Sequence, residues 1–490
     1  MRHLIHLLCT LCLIPFAAAD PRPNIVVILA DDLGFSDLGC YGSTVPTPHL
    51  DALAANGLRF TDVHNIPRCV PSRAALLTGL HPHQAGVGLI DRHARPRRSN
   101  NTLNENCVTI AEVLRAAGYT TLMTGKWHVG DDEGHHPPDR GFDRYWGSPR
   151  GGGFYFKDAM LRLDREIYFN REKIDPPDDL YVTDDFTDHA IDFVTEAVTE
   201  TKKPFFLFIA HIAPHWPLQA KPEEIARFEG HFDHGWDVER QRRFANQKEL
   251  GIIPAHSALS ERDPQAKPWE EKTEKQRADL AHRMEIYTAQ VDALDRNVGK
   301  LVARLKELGR FKNTLIVFLS DNGCSAEGGP GGFNRGEEGA PLGTALSYAS
   351  AGLEWANVSN TPFRKFKIST FQGGTATPFI AHWPDGIEAR GEIRRQPGHI
   401  IDLMPTFIEI SGATYPENFA GNTITPMQGQ SLAPFFRGDA KPPARDFFWK
   451  HLDNKAVRRG HWRAVRSDNP PWQLFDLSVD PTETTDLATE

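Results

Sequence analysis

Cysteine is scarce in this chain. Of the six cysteines in 490 residues, Cys9 and Cys12 fall in the first twenty, which leaves Cys40, Cys69, Cys107 and Cys324. Four cysteines allow three complete pairings, too few bridges to build a small fold on disulfides. A basic surplus is also missing, since 55 Lys and Arg stand against 64 Asp and Glu, for a formal charge of -9. This excludes a general nucleic-acid binder, which needs excess cations to neutralise phosphates, so any anion site has to be local. Beyond the first twenty residues there is no paired-cysteine or His-Glu-x-x-His spacing to hold a soft metal. No internal repeat is evident. The apolar run from Leu4 to Ala18 is broken by Pro15, and it falls short of the roughly 20 residues that cross a bilayer. No stable membrane anchor is expected from it.

What the chain does have is an ordinary globular balance, 40% apolar and 24% charged, with material for two or three domains or for one large α/β core carrying an appendage. Arg2 and His3, the apolar run and the small residues Ala17-Ala18-Ala19 read as a signal peptide over residues 1–19, and predict an exported protein, periplasmic or secreted. Short β-branched or aromatic runs at Asn24–Ala30, Thr120–Thr124, Pro204–Ala210 and Thr314–Ser320 are apolar on successive residues, as parallel strands buried on both faces are. Helical patterns alternate with them: Pro48 to Gly57, Thr109 to Ala117, Thr183 to about Val198, and Glu274 to Leu308. In the last, Met284, Tyr287, Val291, Leu294, Val298, Leu301 and Leu305 form a seam of the kind laid on a sheet. The expected fold is a large mixed, mostly parallel sheet sandwiched by helices. Gln219–Thr273 and Gly323–Asn360 break the alternation and are expected to be irregular, substrate-facing walls. From about Tyr415 short alternating segments (DFFWKH, NKAVRRG, HWRAVRS, WQLFDL) predict a small C-terminal antiparallel sheet. The expected division is therefore 1–19, 20–414 and 415–490.

The chemistry gathers at the strand ends, where open parallel sheets bind ligands. Asp31-Asp32, Lys126-Trp127-His128, His211 to His215 and Asp321-Asn322 each follow an expected strand. Three carboxylates and an amide supply hard oxygen ligands suited to calcium or magnesium, and would repel one another without a cation. The sharpest local signal is Cys69-Val70-Pro71-Ser72-Arg73 followed by AALLTG. A match to Cys-x-Pro-Ser-Arg arises by chance in on the order of a few per thousand chains of this length.

These motifs carry a resemblance. PNIVVILADDLGFSDLGCYG, CVPSRAALLTG, GKWH, APHWP, SDNG, NTPFRKFK and WQLFDLSVDPTE resemble type I sulfatases of the arylsulfatase family, in the alkaline phosphatase superfamily, over nearly all of the mature chain. The resemblance implies a sulfuric ester hydrolase in which a formylglycine-generating enzyme has oxidised Cys69 to Cα-formylglycine. It also implies one calcium ion on Asp31, Asp32, Asp321, Asn322 and an oxygen of the modified residue 69. Lys126 and Lys367 would grip the sulfate, Arg73 would orient residue 69, His128 would act as base on its hydroxyl, and His215 would protonate the leaving alcohol. An aldehyde hydrate has two hydroxyls on one carbon, so one can attack sulfur and the other can drive release, a step that a serine would lack. Where the family commonly has Glu-Gly-Gly after this lysine, the chain has Gln372, and Ser148 is the nearest match for a family serine at the sulfate. Two other readings fit the same motifs: a phosphonate or phosphate ester hydrolase of the superfamily, and a non-catalytic binder of sulfated glycans should Cys69 stay unmodified. The substrate is expected to be an aryl or carbohydrate sulfate.

Overall fold

The computed structural model describes residues 20–88, 101–438, 444–467 and 471–488. The expected signal segment, residues 1–19, lies outside them. Ten strands form the main sheet: β1 (Asn24–Asp31), β2 (Leu58–Phe60), β3 (Thr120–Lys126), β4 (Arg144–Ser148), β5 (Ile167–Phe169), β6 (Glu172–Ile174), β7 (Phe205–Pro214), β8 (Thr314–Ser320), β9 (Phe379–His382) and β10 (Glu392–Arg394). Their order is β10-β2-β9-β8-β1-β7-β3-β4-β5-β6. The central five, β8-β1-β7-β3-β4, are all parallel, so their carboxyl ends share one edge. Antiparallel pairing sets in outside them.

Alternation along each central strand divides the core in two. Val26, Ile28, Leu207, Ile209, Ile316 and Phe318 pack on one face; Ile25, Val27, Phe206, Phe208, Leu315 and Val317 pack on the other. Successive side chains of a strand point to opposite faces, which is why both sets are apolar in a doubly covered sheet. Helix α1 (Cys69–Thr78) buries Ala74 to Leu77 on the second face. Helices α2 (Val182–Glu200) and α4 (Glu274–Glu307) lie on the first face, where the seam from Met284 to Leu305 is buried. Thr273 opens α4 with a capping box to Gln276.

One expectation needs adjustment. The stretch Gln219–Thr273, expected to be irregular, holds the 15-residue helix α3 (Gly235–Glu249). Its buried face carries Arg240 and Arg243 as well as Trp236, and Arg243 pairs with Asp37 at 2.6 Å and with Glu239 at 2.9 Å. A helix held by buried ion pairs shows no apolar periodicity to read. All four cysteines among the described residues are free thiols. The C-terminal strands β11 (Asp446–His451), β12 (Asn454–Arg459), β13 (Trp462–Arg466) and β14 (Gln473–Asp476) form the expected antiparallel sheet in sequential order. Its inward residues Phe447, Trp449, Val465 and Phe475 join the core on the α1 side, and Arg458 pairs with Asp62 at 2.6 Å.

One buried residue of β7 gives a stability prediction. His211 has no partner for Nδ1, and burial pushes its pKa down to about 3. Below pH 6.5 the unfolded chain takes up a proton that the folded protein refuses, so this residue's contribution is lost as pH falls toward 3. The slope is at most about 1.4 kcal/mol per pH unit. Denaturant unfolding of His211→Gln across this range should show a shallower acid dependence than the native chain.

Candidate active site

The turn that starts α1 is fixed by its own sequence. Ser72 Oγ accepts from the Ile66 amide at 3.0 Å and donates to the Ile66 carbonyl at 2.6 Å, folding the chain so that Cys69 opens the helix. Pro71, in the first turn, gives up an amide that has no helical partner there. Arg73, one turn on, is fully buried and reaches across the sheet edge. Its guanidinium donates to Asp321 Oδ2 at 2.9 and 3.1 Å, to Asp31 Oδ2 at 3.2 Å and to the Lys126 carbonyl at 2.6 Å. One side chain thus ties together the ends of β8, β1 and β3.

The other expected residues meet at the same edge. Lys126 Nζ pairs with Asp31 Oδ2 at 2.5 Å, and Lys367 Nζ with Asp32 Oδ2 at 2.8 Å. Asn322 Nδ2 donates to Asp32 Oδ1 at 2.6 Å, and Asp321 Oδ1 accepts from the Asp32 amide at 3.3 Å. His215 Nε2 lies 3.5 Å from Asp32 Oδ2, while its Nδ1 contacts the Trp216 carbonyl. A carbonyl can only accept, so Nδ1 carries the proton and Nε2 is the exchangeable position. Asp32 and His128 have φ of 64° and 65°, the left-handed turns by which the chain leaves β1 and β3. Ser148 stands opposite Lys126 in the β3–β4 register, buried, with no partner for Oγ. None of the ten residues singled out from the sequence lies elsewhere. Gln372, where the sequence departs from the family pattern, donates its side-chain amide to the Pro481 carbonyl, and its backbone amide donates to Glu483 at 2.7 Å. The loop is held there by the C-terminal segment.

The electrostatics are those of charges taken out of water. Burial drives the Asp31 carboxyl up, but Lys126, His215 and Arg73 outweigh it and hold the group well below the usual range. For Asp32, burial and the neighbouring Asp31 prevail over Lys367, and the pKa is raised. Asp321 is pushed up to about 7 by burial and by Asp31, against Arg73. Burial also raises the Cys69 thiol, although Lys126 and Lys367 pull against it. An unmodified thiol is therefore a poor nucleophile in this place. Burial lowers His128 well below its ordinary value, with help from Lys126 and Arg73, and lowers His215 to about 3, with help from Lys367.

The oxygen atoms fit a hard cation. Asp31 Oδ1 and Asn322 Oδ1 are buried acceptors without a hydrogen-bond partner, and three carboxylates crowd beside them. Asp31, Asp32 and His215 each offer a ligand atom within 4.8 Å of one another, so the histidine also stands within reach of a metal. The sequence reading did not anticipate Glu327 here. Its carboxylate accepts from Trp216 Nε1 and from Ser325 Oγ at 3.1 Å, and lies 3.8 Å from Lys367. Only its place in the Gly-rich stretch after Asp321-Asn322 marked it. The triple glycine 151–153 was missed as well. A Cβ on Gly151 would fall 1.9 Å from His128 Nε2, and one on Gly153 would fall 2.2 Å from the Trp216 carbonyl, so a bare backbone is wedged between the two histidine loops.

Comparison with known proteins follows the same lines. A family model described as Sulfatase matches residues 23–413. An arylsulfatase of Klebsiella aerogenes is 36% identical over 433 residues, covering 85% of this chain and 92% of that protein. The N-acetylgalactosamine-6-sulfatase of Mus musculus is 30% identical, over 95% of this chain and 75% of its own length. The solved structure of Ps i-CgsB in complex with k-i-k-neocarrahexaose superposes with a TM-score of 0.70 at 30% identity, covering 95% of this chain and 89% of that one. No helix among the described residues is long and apolar enough to cross a membrane.

Proposed function

The chain belongs to the sulfatase family and is a sulfuric ester hydrolase, and from that premise we propose that it works through a Cα-formylglycine at position 69 beside a calcium ion, on exported aryl or carbohydrate sulfates. The observation that carries this reading is the ring of Lys126, Lys367, Arg73 and three carboxylates around one buried cysteine at a helix start. The modified residue, produced by a formylglycine-generating enzyme, supplies the paired hydroxyls for attack and release. Asp31, Asp32, Asp321, Asn322 and an oxygen of residue 69 would hold the cation, which supplies positive charge against the sulfate oxygens.

The protein's own side chains do the rest. Lys126 and Lys367 bind the sulfate oxygens, and Arg73 aligns residue 69 with the strand ends. Each well-aimed donor contributes about 3 to 4 kcal/mol to stabilising developing charge. His128, kept neutral by burial and by Lys126, takes the proton of the attacking hydroxyl. His215 serves the leaving oxygen from Nε2, because Nδ1 is committed to the Trp216 carbonyl. Lys367 is among the groups that depress His215. A bound sulfate offsets that charge, so the histidine gains proton affinity as substrate binds. The Asp31–Asp32–His215 grouping also admits histidine ligation, but the oxygen-rich set favours a hard cation and leaves His215 for proton transfer. Residues 1–19 act in this reading as the export signal, and 20–414 and 415–490 as catalytic domain and C-terminal subdomain.

Mass spectrometry of the peptide containing residue 69, from active native protein, tests the assignment. The expected result is loss of the thiol and gain of an aldehyde, and an intact thiol at full activity would overturn it.

A further inference from the structure

A second cationic position lies beside the site. Arg165 is half-buried, its Nε is enclosed without a partner, and its guanidinium makes no hydrogen bond or ion pair with any described residue. Arg162, three residues earlier, shows what a structural arginine does in this segment: it donates to the Ala345 and Ser347 carbonyls at 3.1 and 3.2 Å. The Arg165 guanidinium instead abuts the glycine turn, where a Cβ on Gly152 would lie 2.7 Å from Nη2. Since Gly151 backs onto His128 Nε2, standard backbone spacing puts the guanidinium within about 11 Å of that nitrogen. One or two sugar residues span such a gap.

The carboxylates that act on Arg165, Asp164 and Asp131, are exposed and make no bond with it, and the position offers aromatic surface. Arg150 is close enough to Arg165 to repel it, and its ion pair among described residues is a 3.7 Å contact to Asp164, a carboxylate 94% exposed. Such a pair is worth little. Tyr348 stands near Arg165 and meets Trp216 edge-on at 5.5 Å, and Trp216 in turn lies against His215. Phe333 packs against both rings, with Arg335 over its face at 4.7 Å. The nearby Glu327 is already engaged by Trp216 and Lys367. Two neighbouring guanidiniums, one of them half-buried and without a hydrogen-bond partner, favour a bound anion, and an aromatic face suits the apolar side of a sugar.

We propose that Arg165 and Arg150, beside the Tyr348–Trp216 aromatic face, form a second anion-binding position that takes the neighbouring anionic group of a polyanionic glycan while a sulfate occupies the catalytic site. This rests on the sulfatase reading and narrows it: the substrate is a glycan with a second negative group, either sulfate or uronic carboxylate, and Arg165 is a specificity residue.

The test uses full-length protein with residue 69 converted. Initial rates are measured on 4-nitrophenyl sulfate, on N-acetylgalactosamine 6-sulfate, on the same sulfated sugar joined to a uronic acid, and on a carrageenan oligosaccharide with sulfates on adjacent residues. The native protein should prefer at least one of the two dianionic substrates over both monoanionic ones. In Arg165→Gln the ratio of kcat/KM for that substrate to kcat/KM for 4-nitrophenyl sulfate should fall by about tenfold or more, the worth of a charge-assisted hydrogen bond. Arg165→Lys should restore part of it. The arm that loses the preference identifies the second group as sulfate or carboxylate. Absence of a dianionic preference in the native protein overturns the proposal, as does an Arg165→Gln variant that lowers all four substrates by one factor. Failure of converted native protein on every sulfate ester would instead remove the sulfatase mechanism beneath it.

Discussion

Cys69→Ala is expected to lower sulfate ester turnover by about 10⁴-fold or more, because it deletes the covalent nucleophile and leaves only charge stabilisation by the surrounding groups. The fold should survive, since the helix start is held by Ser72 on Ile66 and by Arg73 on two strand ends, not by the cysteine side chain. Cys69→Ser is the more telling variant. Its hydroxyl sits among the same lysines and can attack sulfur, but it has no second hydroxyl to eject the sulfate. The expected outcome is a burst of at most one alcohol per protein followed by near-arrest, seen by rapid-mixing assay with a chromogenic sulfate. Steady turnover by either variant at the native rate would remove residue 69 from the mechanism.

Chelation should produce the second large effect, a loss of activity of about 10³-fold or more that calcium restores. The expectation follows from the carboxylates. Asp31, Asp32 and Asp321 are all buried, and Asp321 is pushed to about 7 first by burial and then by repulsion from Asp31 and Asp32. Lys126 and Lys367 already pair with Asp31 and Asp32, so the chelated protein keeps partial compensation and should remain folded. Those lysines are then less free to bind sulfate. Activity should accordingly fall much further than stability. A ligand at a hundred times its Kd contributes about 2.7 kcal/mol to the folded state, a difference readable by thermal unfolding with and without added calcium. Full turnover in excess chelator would sink the cation assignment, and a chelated protein that unfolds outright would show that the lysine pairs do not compensate.

The central strands and the long helix were legible because each buries a continuous apolar surface, and burial leaves a periodic trace in sequence. α3 was not, since its inward Arg240 and Arg243 are satisfied by partners far along the chain, among them Asp37. A buried ion pair reads locally as two exposed charges. The Arg165 position was hidden for the converse reason: an arginine without a partner cannot be told from a solvated one until the surrounding space is known.

The sequence by itself determined the residue types of the reaction, the placement of the carboxylates, Lys126 and the histidines after buried strands, and the motif that carries Cys69, because strand burial and motif spacing are local properties of the chain. Tertiary structure alone decided which charges oppose which. Arg73 bridging Asp31 to Asp321, the committed Nδ1 of His215, the glycine wedge behind His128 and the guanidinium left without a hydrogen bond beside it all depend on segments apart in the chain. Their energies depend on distance and on exclusion of water, which only packing sets.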